Sequence, residues 1–285
     1  MLHNETVREA SNPLLSAGQV GLLSGWGVFS TLRVVDGVPF AFERHWTRIA
    51  RDADAVHVPI PPDSGSVRRG LGALIEANRA FDSTLRLVVV RNQGGLWEGP
   101  GISRPSDVIA LTADSKAWGS SVKLAYVEQA RHAANPFTGT KILSWAMNLT
   151  WLESAQARGF DEVILLNERG EVAECTSANI FAAHGNEVWT PPLNAGCLPG
   201  ITRELLLEEV RVPGIRVVER TIMRAELESA DEVFITSTTR NLLPVVQIED
   251  RNVGRSIAVQ TKLADAFAEC VRRYTAEHKQ APAAR

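Results

Sequence analysis

The sequence predicts a mixed α/β protein of two domains, and three observations lead there. Strand-like and helix-like segments intermingle without the strict alternation that a doubly wound sheet requires. Neither GxGxxG nor GxxxxGK[ST] occurs, so a Rossmann or P-loop reading has nothing to rest on. At 285 residues, 45% of them hydrophobic, the chain is long enough to bury its own core and needs no metal or disulfide staple.

The first domain is expected over residues 1–114. GVFSTLRVVDGVPF reads as a hairpin turning at Asp36-Gly37. ERHWTRIARDADAV follows as a helix, with Trp46, Ile49, Ala53 and Val56 along one face. PPDSG is a loop, SVRRGLGALIEANRA a helix, STLRLVVVRNQGG a strand ending in a glycine turn, and SDVIALTAD another strand. DSKAWGSS reads as a crossover, with residues 115–120 as the linker.

The second domain, 121–285, opens with SVKLAYVEQ as a strand. ILSWAMNLTWLESAQARG is read as an amphipathic helix stopped by Gly159. DEVILLNERGEVAECTSANIFAAHGNEVWTP makes a series of short strands with turns at ERGE and HGNE. AGCLPGITREL is a loop running into a helix, with Thr202 placed as the N-cap. Two strands, GIRVVERTI and DEVFITSTT, and a helix over about 256–275 complete the domain, before a short tail, KQAPAAR.

Composition narrows the function. A net charge of −3 gives no reason to expect a nucleic acid or an anionic membrane as partner. Cys175, Cys197 and Cys270 form no CxxC or zinc spacing, so no metal is expected and a reduced, cytoplasmic setting is. MLHNETVREASNPLL lacks a basic start with an apolar stretch behind it, so no signal peptide is expected, and no apolar run is long enough to cross a bilayer.

Only five of the 30 basic residues are lysines. Lys141 stands out because Thr140, Ile142 and Leu143 give its amine mostly apolar neighbours, which favour a nucleophilic form. A solvated charge at a helix start is the plainer alternative. Glu174 follows the strand GEVAE and is either a turn residue or a buried carboxylate in need of a cationic partner. Gly200, Ile201 and Thr202 place backbone N–H groups at a helix start, where an anion is favoured. TSTTRN, 236–241, is an ordinary turn or a second half of such a cup, and Arg48 is a surface arginine or its fixed charge. An amine, a carboxylate and two N–H and hydroxyl loops with an arginine together describe a pyridoxal phosphate site.

In this order the pieces resemble the class IV (fold type IV) pyridoxal-phosphate enzymes, which include branched-chain and D-amino acid aminotransferases and aminodeoxychorismate lyases. The resemblance runs from GVFSTLRVVDG to ADEVFITSTTRNLLPV and is carried chiefly by E-x-x-x-x-N-I-F and L-P-G-I-T-R. It implies a two-domain α+β fold with pyridoxal 5′-phosphate in the interdomain cleft, and a homodimer. Lys141 is then the Schiff-base lysine and proton shuttle, and Glu174 the partner of the pyridine nitrogen. Arg48, Ile201, Thr202, Ser237 and Thr238 are implied to cradle the phosphate. Thr239 is placed near the substrate carboxylate, and Arg33 and Arg91 match arginines that face such carboxylates.

The departures concern the reaction. Many aminotransferases of the family read F-E-x-x-R where this chain has Phe29-Ser30-Thr31-Leu32-Arg33. A hydroxyl from Ser30 or Thr31, and the Glu174-Cys175 pair, lean toward the lyases, while LPGITR leans toward the aminotransferases. The asparagine common after the lysine is replaced by Ser144 and Trp145; Trp26 and Trp145 are read first as core. The expected activity is amino transfer from a small, branched-chain-like or D-amino acid to a 2-oxo acid. The alternatives are an aminodeoxychorismate lyase that forms 4-aminobenzoate and pyruvate, and a cofactor-binding homologue without turnover.

Overall fold

The computed structural model describes residues 1–12, 16, 18–95, 98–99 and 102–279. Residues 13–15 of the opening stretch, and the tail KQAPAAR beyond Lys279, lie outside the described residues. The chain divides into two compact units: Met1–Lys116 with Thr140–Trp145 and Val271–Arg285, and Ala117–Gly139 with Ala146–Cys270.

The first unit is built on strands β1 (Leu2–His3), β2 (Thr6–Val7), β3 (Gly27–Val35), β4 (Val38–Pro39), β5 (Ser83–Arg91) and β6 (Ser106–Asp114). Its helices are α1 (Val20–Ser24), α2 (Phe42–Ala55) and α3 (Ser64–Asn78). The sheet runs β2-β1-β6-β5-β3-β4, antiparallel throughout. Asp36 and Gly37 both take positive φ (48° and 81°), the pair of left-handed residues that a tight two-residue hairpin needs. Asp63 caps α3, accepting from the N–H groups of Gly65 and Ser66.

Alternation puts Val28, Leu32 and Val34 of β3 and Leu85, Leu87 and Val89 of β5 on one sheet face. There they pack with Ile49 and Ala53 of α2 and Leu71, Leu74 and Ile75 of α3. The α2 face expected from Trp46, Ile49, Ala53 and Val56 is the one turned to this core. Phe29, Thr31 and Arg33 are left on the other sheet face.

The second unit carries β7 (Val122–Arg131), α4 (Ala146–Ala157), β8 (Glu162–Asn167), β9 (Val172–Cys175), β10 (Asn179–His184) and β11 (Glu187–Thr190). After them come α5 (Ile201–Glu208), β12 (Arg216–Glu219), α6 (Arg224–Ser229), β13 (Glu232–Ser237), β14 (Asn241–Ile248), β15 (Arg251–Asn252) and α7 (Ala258–His278). The sheet order is β12-β11-β10-β13-β14-β7-β8-β9, with β15 on β14, and the β11–β12, β14–β7 and β7–β8 pairs are parallel. Leu124, Ile164, Ile180, Ile235 and Val245 share one core, while Val163 and Leu165 of β8 face Ala155 of α4.

Three expectations are corrected. The helix read from Ile142 begins at Ala146, because residues 141–143 are zipped to β3 as an extended strap. Phe29 N–H donates to the Lys141 carbonyl at 3.0 Å, Leu143 N–H to the Gly27 carbonyl at 2.9 Å, and Val28 pairs with Ile142. Thr202 is not the N-cap of α5. Gly200 is, with extended φ −72° and ψ 139° and its carbonyl accepting the Glu204 N–H. Finally, GIRVVERTI, DEVFITSTT and the last helix do not complete the domain: β14 and β15 lie between β13 and α7, and Pro244 within β14 sits opposite Phe234 of β13. Among the described residues, no helix is long and apolar enough to cross a membrane.

Candidate active site

In the first unit the parity of β3 sorts the polar side chains. Thr31 pairs with Arg86 of β5, and Arg33 with Thr84, so Phe29, Thr31, Arg33 and Arg86 share the face away from the helices. The Arg86 guanidinium lies 3.9 Å from the Phe29 ring centroid, and the Lys141 amine lies 4.5 Å from the same centroid. Arg86 is half-buried, burial pulls its pKa down, and it has no hydrogen bond or carboxylate partner among the described residues. Trp145 meets Phe29 edge-on at 6.3 Å.

The opposite parity carries Ser30, fully buried. Its hydroxyl accepts from Arg48 Nη2 at 2.7 Å and lies 2.7 Å from His45 Nδ1. That commitment removes Ser30 from the face that holds the lysine, so of the two hydroxyls raised for a lyase only Thr31 stays there. His45 is 1% exposed, and burial, with the Arg48 and Lys141 charges adding, pushes its pKa well below the ordinary value. Its Nε2 has no hydrogen-bond partner among the described residues. One turn after Arg48 on α2, Asp52 accepts the Lys141 backbone N–H at 3.0 Å.

Arg91 stands apart. It ends β5 on the parity opposite to Arg86, donates from Nε to the Gln93 carbonyl at 2.7 Å and from Nη1 to the His57 carbonyl, and stacks 4.2 Å from Trp26. Trp26 packs on the first unit's core and donates to the Val56 carbonyl at 2.6 Å.

In the second unit Glu174, 8% exposed near the end of β9, accepts from Arg131 Nε at 3.0 Å and from the Leu198 N–H at 3.0 Å. Asn179, the first residue of β10, donates to the Leu198 carbonyl at 2.8 Å. The two ends of the E-x-x-x-x-N motif therefore grip the two ends of one residue of L-P-G-I-T-R. A Cβ on Gly200 would lie 2.0 Å from Asn179 Oδ1, so this close approach demands glycine.

Helix α5 begins there with no side-chain cap, which leaves the N–H groups of Ile201 and Thr202 without acceptors inside the helix. Asn179 also pairs with Thr236 across β10–β13. The start of α5 and the turn at 237–239 thus flank a single residue. In that turn Ser237 Oγ accepts the Arg240 N–H at 3.2 Å and lies 3.5 Å from Thr239 Oγ1, with Thr238 between them. Arg240 anchors the turn from below, donating to Ser177 Oγ at 2.8 Å and pairing with fully buried Glu162 at 3.3 Å. Cys175 and Cys197 are buried, and burial pushes the Cys197 thiol up to about 12, so neither is poised as a nucleophile.

Each unit therefore assembles its own set. The first brings Lys141, Thr31 and Arg33 to one sheet face, with Arg48 behind it; the second brings Glu174, Ile201, Thr202, Ser237, Thr238 and Thr239 around Asn179 and Leu198. Sequence reasoning missed Arg86, Asp52, Arg131 and Asn179. The (i, i+4) spacing of Arg48 and Asp52 was a signal for one of them. Arg86 and Arg131 needed strand register, which no local pattern supplies.

Comparison with known proteins adds three relatives and a family. The family described as Amino-transferase class IV matches residues 27–248. A putative branched-chain-amino-acid aminotransferase of Methanocaldococcus jannaschii is 31% identical over 239 residues, covering 82% of each chain. The D-alanine aminotransferase of Bacillus licheniformis is 28% identical over 258 residues, covering 89% of this chain and 90% of the relative. In structure, a putative 4-amino-4-deoxychorismate lyase of Legionella pneumophila superposes with a TM-score of 0.84 at 22% identity, covering 92% of this chain and 97% of that one.

Proposed function

The chain belongs to the class IV aminotransferase family, and from that premise we propose that it moves an amino group from a small amino acid to a 2-oxo acid. The family depends on pyridoxal 5′-phosphate, and the donor sets described above fit that group. Two N–H groups at an uncapped helix start, a hydroxyl turn and a buried arginine suit a phosphate. A carboxylate fixed by two donors suits a pyridinium nitrogen.

When bound, the cofactor supplies an electron sink for the substrate α-carbon. Arg48, Ile201, Thr202, Ser237 and Thr238 hold its phosphate in this reading, and Glu174 holds the ring nitrogen. Lys141 Nζ would hold the cofactor until the incoming amino group displaces it, and the freed amine would then move the proton from the substrate α-carbon to the cofactor. Arg33, Arg86, Thr31 and Thr239 orient the substrate carboxylate. Arg91 lies on the opposite face, and with Nε and Nη1 serving the Gln93 and His57 carbonyls we assign it to holding the end of β5 rather than to the substrate. We place the enzyme in the cytoplasm as a homodimer, in keeping with its buried thiols and its family.

One observation carries the reading. The Lys141 amine and the Arg86 guanidinium both lie against the Phe29 ring, so an amine and a carboxylate receptor converge on one aromatic side chain. The test mixes cofactor-loaded protein with single L- and D-amino acids and no acceptor. Conversion of the bound aldehyde to its amine, read by absorbance, supports transfer and reports the chirality. No conversion with any amino acid, together with pyruvate release from aminodeoxychorismate, overturns it in favour of the lyase. Failure to bind the cofactor at all overturns both.

A further inference from the structure

We propose that Asp52 is the positioning residue for Lys141, fixing its amine relative to Arg48. The inference rests on the reading of Lys141 as the working amine and goes beyond it to the group that aims that amine. Asp52 is 1% exposed, and a carboxylate so deeply buried is costly unless its oxygens are well occupied. Oδ1 accepts from Nε and Nη2 of Arg51, and Oδ2 accepts the Lys141 N–H at 3.0 Å. The strap's bonds to β3 stop at the Lys141 carbonyl; its N–H leaves the ladder for Asp52. Both peptide groups flanking the Lys141 Cα are therefore fixed, one by a strand and one by a helix.

The two anchors belong to one circuit. Asp52 and Arg48 sit one turn apart on α2, about 6 Å along its axis. Arg48 Nη2 donates to Ser30, and the next residue back along β3, Phe29, donates to the Lys141 carbonyl. The path β3–Arg48–α2–Asp52–Lys141–β3 closes through hydrogen bonds and rigid elements alone. A lysine stem of four carbons amplifies any tilt of its Cα, and a misplacement of ~1 Å at a reacting group can cost on the order of 10²-fold in rate. A carboxylate holds a backbone N–H more tightly than a neutral acceptor does, which accounts for a charge in this position.

Two ligands separate this role from general support of the fold. Pyridoxal 5′-phosphate needs the Lys141 amine for covalent capture; pyridoxine 5′-phosphate has no aldehyde and reports only the residues that hold the phosphate and the ring. In Asp52→Leu the capture rate should fall about tenfold or more, while the Kd for pyridoxine 5′-phosphate stays within about twofold of wild type. Capture at the wild-type rate, or an equal loss for both ligands, overturns the proposal. Wild-type protein that takes up neither ligand overturns the proposed function instead. Should Asp52→Leu not fold, amide hydrogen exchange in Asp52→Asn gives the second measurement. The Lys141 N–H should exchange roughly tenfold faster than in wild type, against an unchanged Leu143 N–H, since an amide oxygen is the weaker acceptor. Equal protection of Lys141 in both proteins overturns the assignment.

Discussion

A lysine amine is drawn to the face of an aromatic ring, and Phe29 provides that ring for Lys141. Replacing Lys141 by alanine should abolish covalent cofactor capture and turnover, whereas Lys116→Ala and Lys123→Ala should retain both; absorbance titration of the three variants decides it. Glu174 is the other residue whose charge does chemical work in the proposed reaction. Glu174→Gln keeps an oxygen for the Leu198 N–H, so the cofactor should still bind, but a neutral amide does not stabilise a proton on the ring nitrogen. Proton removal should slow by about 10²–10³-fold, the scale of a charge contact worth about 3–4 kcal/mol in a water-poor site. Single-turnover kinetics with an amino acid measures it, and near-wild-type rates would sink the role.

Among the elements, α5 shows how tightly a backbone site can be specified. Asn179 cannot swing away from Gly200 freely, because its Nδ2 is bonded to the Leu198 carbonyl. A methyl at position 200 must therefore push the helix start off Asn179. Gly200→Ala should cost about 1–3 kcal/mol in apo stability, the usual range for overpacking, and should weaken pyridoxine 5′-phosphate as well; thermal melting and titration read the two effects separately. Much of this unit was legible beforehand. The strands of DEVILL and ANIFAA, and their turns at ERGE and HGNE, follow from alternation and turn chemistry. The start of α5 lies two residues before the expected one because a threonine hydroxyl advertises a side-chain cap that glycine lacks, and the extended backbone of Gly200 is visible only in the fold. The sequence predicts helix from Ile142 for a similar reason: ILSWAM continues an apolar pattern, and only the pairing of Ile142 with β3 reveals that its start is extended. Local rules order the candidates along the chain; they do not tell which strand faces which.

For the whole molecule, buried polar groups set how stability responds to conditions. His45 has a folded pKa well below its ordinary value of about 6.5. Below that value the unfolded chain takes up a proton that the folded chain refuses, so stability is full above it and falls as pH drops toward the folded pKa. Melting temperature should therefore decline as the pH is lowered through that window, and the decline should be shallower in His45→Gln; parallel slopes would remove His45 from the account. The Glu162–Arg240 pair gives a larger effect at constant pH. Arg240→Met leaves fully buried Glu162 without its cation and should cost about 3–5 kcal/mol. Adding Glu162→Leu should restore part of it, as measured by urea unfolding.

The first unit is not contiguous in the chain. Its strap at 140–145 and its closing segment from Val271 come from either side of most of the second unit. In that closing segment the Tyr274 hydroxyl donates to Glu43 Oε2 at 2.6 Å and accepts the Phe42 N–H at 3.2 Å, at the very start of α2. On a ribosome, then, the N-terminal sheet and helices emerge with the end of α2 that leads to Arg48 and Asp52 still unfastened. They wait through the translation of more than a hundred further residues. A ribosome stalled before Tyr274 would therefore hold a first unit whose α2 start lacks its last two bonds, with its apolar faces exposed for that much longer.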